Sequence, residues 1–183
     1  ETVVVSDGSL EVSVSPTSPS SQNIPFNVQA VPYLSVDLTA NGDDVNVTSI
    51  TVNRTGLGNN DDFDKVWFEV EGQRVSSKKT VNSDDVAIVT LQGVTVEAGE
   101  TVTATLLASM SAWSDNGAGA NANNGQRDSD ETVQSGHANA FTISSADAVI
   151  TNAESVVGDF SVTGNIMGIA DYAVTTAEFA DSV

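Results

Sequence analysis

Apolar residues recur along this chain with a period of two. Leu10, Val12 and Val14 alternate with Glu11, Ser13 and Ser15. Leu34, Val36 and Leu38 alternate with Ser35, Asp37 and Thr39, and Val102, Ala104, Leu106, Ala108 and Met110 share one parity. Successive side chains of an extended chain point to opposite faces, so this spacing describes strands with one dry and one wet face. No useful length of sequence carries the 3.6-residue spacing of an amphipathic helix. Phe26, Val28 and Ala30 repeat the alternation, as do Val66, Phe68 and Val70, and 86–91 reads as a mostly apolar strand. Further strand signals fall at 138–144, 148–150, 160–162 and 172–179. Turn residues separate these runs: Asn41-Gly42-Asp43-Asp44, Gly72-Gln73 and Glu97-Ala98-Gly99-Glu100. In the strand after Asp44, Val45 and Val47 have one parity while Ile50 and Val52 have the other, which predicts a β-bulge near Thr48-Ser49.

Short strands at regular spacing, punctuated by turns, imply an all-β fold, an Ig-like antiparallel β-sandwich with a C-terminal β extension. The 183 residues suit one domain. Within it the sequence divides into a terminal strand (1–8), a sandwich core (9–112), a flexible Gly/Asn-rich loop (113–136), and a β extension ending in a second terminal strand (137–183).

Charge narrows the function. Six Lys and Arg face twenty-five Asp and Glu, for a formal net charge of -19. Nucleic acids and anionic bilayers select Lys/Arg-rich surfaces, so neither is an expected partner. No run of eighteen apolar residues suggests a membrane span, and no basic segment followed by an apolar one suggests a leader. There is no cysteine, so disulfides and thiolate metal sites are excluded.

Several pieces in order resemble a known repeat: 9–17, 36–40, Val47-Thr48-Ser49-Ile50-Thr51-Val52-Asn53-Arg54-Thr55-Gly56-Leu57-Gly58, and Val94-Thr95-Val96-Glu97-Ala98-Gly99-Glu100-Thr101-Val102-Thr103. They are similar to the Ig-like β-sandwich repeat of large bacterial surface and S-layer-like proteins. Phe160 to Ala170 resembles the segment that joins one such repeat to the next. The Asn/Gly-rich stretch 114–125 departs from that pattern, which has a short connector there. The resemblance implies an extracellular or cell-surface module without enzymatic activity. It also directs attention to the strand signals at both ends, Thr2, Val3, Val4 and Val5, and Tyr172, Val174 and Phe179. An unpaired strand is a template for another chain, so head-to-tail assembly into a homopolymer is expected, each subunit lending a donor strand to the next. The result would be a pilus-like filament or a surface layer. The alternative is a monomeric adhesin or carbohydrate-binding module, with Trp67 and Trp113 as candidate glycan contacts; a hydrolase accessory domain is a more distant third.

Other chemistry is thinly represented. The one histidine, His137, lies in a polar Gly-His-Ala-Asn context without a cysteine to activate, and catalysis is not expected. Calcium is the most plausible ion, because acidic loops supply the oxygen ligands it needs. Asp61, Asp62 and Asp64 are the first-choice ligands; Asp43 with Asp44, and Asp128 with Asp130 and Glu131, are weaker clusters, and none has EF-hand spacing. Otherwise no cofactor is expected. Asn46-Val47-Thr48 and Asn53-Arg54-Thr55 are N-glycosylation sequons, relevant where the secretion route carries that machinery.

Overall fold

A computed structural model describes residues 6–25, 28–111 and 136–170. Thirteen strands are described: β1 (Ser6–Val14), β2 (Asn23–Pro25), β3 (Val31–Asn41), β4 (Val45–Gly56), β5 (Phe63–Val70), β6 (Gln73–Arg74), β7 (Val86–Val96), β8 (Thr101–Met110), β9 (Ala138–Ile143), β10 (Val149–Thr151), β11 (Ala153–Val157), β12 (Val162–Thr163) and β13 (Met167–Ala170). Two single 3₁₀ turns, Asn60–Asp62 and Ala146–Ala148, are the described helical pieces.

The strands form two sheets. One has the order β11-β1-β3-β8-β5-β6. In the other, β4 pairs with β7 along one edge and with β10 and β9 along the other, and β9 leads on to β13 and β2. The alternating parities turn inward as expected save at Val14, which is 44% exposed at the end of β1: Leu10, Val12, Val36, Leu38, Ala104, Leu106, Ala108 and Met110 are all buried and meet Val45, Ile50, Val52 and Val89 from the facing sheet. A core of this extent, with apolar area removed from water on both inner faces, is the main stabilising term. The register of β4 slips between Val47 and Ser49 against both β7 and β10, so Val47 and Ile50 both reach the core despite opposite parity. That is the bulge the sequence calls for.

Two features differ from a plain antiparallel reading. β1 pairs with β11 in parallel, and β13 with β2 likewise, so both sheets are mixed. Alternation reports which face is dry, and is silent on the direction of the neighbour. The C-terminal β extension, β9 to β13, is woven into both sheets. The strand expected over 26–30 is also displaced: β2 covers Asn23–Pro25, and residues 28–30 are irregular, with Ala30 at a φ of 59° turning the chain into β3. Phe26 lies outside the described residues.

The described chain enters and leaves at opposite poles. Ser9 pairs with Asn41 and Ser6 with Ala153, which places the start of β1 beside the 42–44 and 97–100 turns. The other pole gathers the start of β3 (Val31 opposite Ala108), the start of β5 (Phe63 opposite Met110) and the end of β4 (Gly56 opposite Asn139). β13 ends there too: Ala170 pairs with Pro25, and Ile169 donates to the carbonyl of His137. The eleven residues of β3 put roughly 35 Å between the poles.

The two flanks of the sandwich also differ. On one flank, residues 75–79 lace the sheets together: Val66 and Lys79 exchange backbone hydrogen bonds at 2.7 and 2.8 Å, and Gln92 of β7 donates to Val75. On the other flank, the chain crosses from β10 to β11 at Asn152, and β11 has one strand neighbour among the described residues, β1.

Candidate functional site

The exit pole carries a buried polar cluster. Arg54 lies near the end of β4, and the chain then turns through Thr55-Gly56-Leu57-Gly58 into the Asn60–Asp62 turn. Asn59 caps that turn: its Oδ1 accepts from the Asp61 N–H at 3.3 Å, while Asp62 Oδ2 accepts from the Asn59 N–H at 2.9 Å. This reciprocal cap satisfies donors that the short turn leaves free. It also swings the Asp62 carboxylate inward, where it is 0% exposed.

A carboxylate in that position needs donors. Asn139 Nδ2 donates to Asp62 Oδ2 at 2.7 Å, and His137 Nδ1 lies 2.9 and 3.1 Å from the two oxygens. Asn139 Oδ1 in turn accepts from Arg54 Nη1 at 3.0 Å. Arg54 also ion-pairs with Asp85 through Nη2 at 2.7 Å, and its Nε reaches Asn60 Oδ1 at 2.9 Å. The chain Asp85–Arg54–Asn139–Asp62–His137 therefore ties β4, the 3₁₀ turn, β9 and the loop before β7 into one end plate. The glycines make this closure possible. Gly56, at a φ of 101°, lies against the carbonyl of Ala138, and Gly58 lies against the Asn139 amide, leaving no room for a Cβ at either place.

Beneath the plate, Tyr33, Phe63 and Phe141 pack edge to face with centroids 5.1–5.4 Å apart. The Tyr33 hydroxyl points to Met110 Sδ at 3.5 Å. Burial, reinforced by the nearby Asp62 charge, pushes the Tyr33 phenol well above its ordinary range.

The plate can clamp and orient. A histidine held by a buried carboxylate is half of a proton-transfer arrangement, but among the described residues the side-chain hydrogen bonds of His137 all go to Asp62. The three aspartates named as calcium ligands are not brought together. Asp62 turns inward onto its donors, Asp61 is exposed, and Asp64 is exposed with an oxygen 3.5 Å from Lys65 Nζ. Among the described residues no three His, Cys, Asp or Glu side chains gather to hold a metal. Asp43 and Asp44 sit exposed in the 42–44 turn, where Asp44 Oδ1 caps the Ala98 N–H at 2.9 Å.

Trp67 stands on the outward parity of β5 yet is 3% exposed. Lys78 Nζ lies 4.2 Å from its ring centroid, and its Nε1 donates to Glu69 Oε1 at 2.8 Å. Its ring face is thus taken by a side chain of its own molecule. Asn46 is exposed on β4. Asn53 is half-buried in mid-sheet, opposite Val86 on one side and Thr142 on the other. Thr2 to Val5, Trp113, Asp128, Asp130, Glu131, and the terminal strand from Tyr172 through Val174 to Phe179 lie outside the described residues.

A second feature has no counterpart among the residues singled out from sequence. Between β10 and β11 runs an open groove of about 490 Å³, lined by Ala146, Val149, Ile150, Ala153 and Val156 with Asp147 and Glu154. Ile150, at 54% exposure, and Val157, at 45%, stand out at this flank. Ala-Glu-Ser-Val-Val carries no alternation to mark it as a strand, so only its pairing with β1 reveals the edge. Compared with known proteins, the chain matches no family model, and no curated protein is similar to it.

Proposed function

We propose that this chain is a structural module of an extracellular filament or surface layer, joined end to end through its terminal segments and carrying no enzymatic activity. The observation that carries this reading is the polarity of the fold: the described chain enters beside Ser6 at one pole and leaves beside Ala170 at the other. A module built in this way passes its chain, or its terminal strands, along one axis. Contacts between unlike ends repeat into an open, linear array unless their rotation closes a ring. The strand signals at Thr2–Val5 and Tyr172–Phe179 lie just beyond these two points, and the resemblance to tandem surface repeats agrees with them.

The charge sets the conditions. At a net charge of -19 the copies repel, and salt or divalent cations relieve that repulsion. Self-association should therefore rise with ionic strength. The test is light scattering and negative-stain imaging of the whole chain beside a chain lacking 172–183. Concentration-dependent linear oligomers that disappear on truncation support the proposal. A monomer at every concentration and salt level for the whole chain rejects it.

A further inference from the structure

We infer that the outer edge of β11, with the groove between β10 and β11, is the acceptor for residues 172–179 of a second copy. This rests on the end-to-end reading above and supplies its missing half, the surface that receives the strand.

Three observations converge on this edge. β11 is hydrogen-bonded to β1 and has no second strand neighbour among the described residues, so its outer backbone is a template for a further strand. The groove beside it is open and lined by Ile150, and β11 ends in the exposed Val157, two apolar side chains that gain by being covered. The third observation is position. β11 begins opposite Ser6, at the entry pole, while Ala170 leaves at the exit pole. When copies stack pole to pole, the exit of one meets the start of β11 in the next. Residues 171–183 reach roughly 45 Å when extended, ample for the roughly 17 Å of a five-residue strand.

The geometry also fixes a direction. β11 runs from the entry pole toward the exit pole, so a strand arriving at the entry pole runs parallel to it, as β1 does. Electrostatics add a signature. Asp171, Glu178 and Asp181 on the incoming segment approach Asp147 and Glu154, so the joint tightens as salt rises. The opposite flank, with Lys65, Arg74, Lys78 and Lys79, would give the reverse dependence.

The chain has no cysteine, which makes disulfide mapping clean. Oxidising Glu154→Cys/Ala173→Cys in the whole chain should give a ladder of linked copies, whereas Glu154→Cys/Ala180→Cys should give much less. In parallel, Ile150→Asp/Val157→Asp removes the apolar cover and adds like charge, and should weaken self-association about tenfold or more while leaving the melting temperature unchanged. If oligomers persist undiminished in the aspartate variant and no ladder forms, the acceptor site is wrong and the end-to-end reading stands. A disulfide confined to single chains, a preference for Ala180→Cys, or association weakened by salt overturns the site as well. A parent chain that never associates removes both ideas.

Discussion

The two flanks of this sandwich solve the same problem differently. A sheet edge offers unpaired N–H and C=O groups, and a chain that leaves them open invites another strand. On the β5–β7 flank that invitation is withdrawn. Residues 75–79 lie across the edge, bonded to Val66 and Phe68 on one side and to Gln92 on the other. Four of the chain's six Lys and Arg, Lys65, Arg74, Lys78 and Lys79, also cluster in that region. Residues 146–157 of the β10–β11 flank include no lysine or arginine, and this flank carries the exposed Ile150 and Val157 and an open groove. Edge protection is therefore uneven: one side is laced by the chain itself, and on the other β11 has a single strand neighbour among the described residues.

The largest effect should come from the closed flank. Phe68 is fully buried there, on the inner face of β5. Phe68→Ala removes its packing and leaves a cavity, so calorimetry or denaturant melts should show a loss of about 3–5 kcal/mol. A loss below 1 kcal/mol would mean that this flank is far looser than its hydrogen bonds imply.

High pH separates interior from edge in another way. Burial holds the Tyr33 proton in the folded state, while an unfolded tyrosine releases it near pH 10. Stability from this residue is therefore complete below about pH 10 and is lost as pH rises toward the higher folded value. A Tyr172→Phe variant leaves Tyr33 as the sole tyrosine. Its tyrosinate absorbance should appear only together with unfolding; a phenolate forming near pH 10 in the folded protein would contradict the packing.

Ser76→Ala tests the lacing itself. Ser76 Oγ, buried, accepts the Phe68 N–H at 2.8 Å. Without it that donor is stranded, and the expected cost is about 1–3 kcal/mol. Hydrogen exchange should locate the change: the Phe68 amide should speed up, and the amides of β11 should not.

Much of this architecture is legible in the sequence, because β1, β3, β4 and β8 each send an alternating apolar set into the core; the outward parity is itself covered in places, at Tyr33 and Ser35 of β3 and at Leu107 and Ser109 of β8. The bulge in β4 is legible for the same reason, as a change of parity between Val47 and Ile50. β11 and β13 are not, since partners distant in sequence make them strands: β1 for β11, and β2 and β9 for β13. The end plate was half visible. Asp61, Asp62 and Asp64 look interchangeable as letters, and a metal-ligand reading treats them alike. The signal that singles out Asp62 is its distance of three residues from Asn59, the spacing of a reciprocal cap. What that spacing does not reveal is that Asn139 and His137, more than seventy residues away, complete the carboxylate's shell.

The smallest effect on the fold, and the sharpest discriminator, belongs to the open flank. Val157 ends β11 at 45% exposure, so Val157→Ser surrenders little buried area and should move folding stability by less than about 0.5 kcal/mol. Its backbone remains available to β1, where Val157 pairs with Glu11. If the two flanks differ as described, this substitution should lower self-association without lowering the melting temperature, while Ser76→Ala should do the opposite. A Val157→Ser protein that melts several degrees early would show that β11 is part of the folding unit in the same sense as β5. The uneven protection of the two edges would then have no basis.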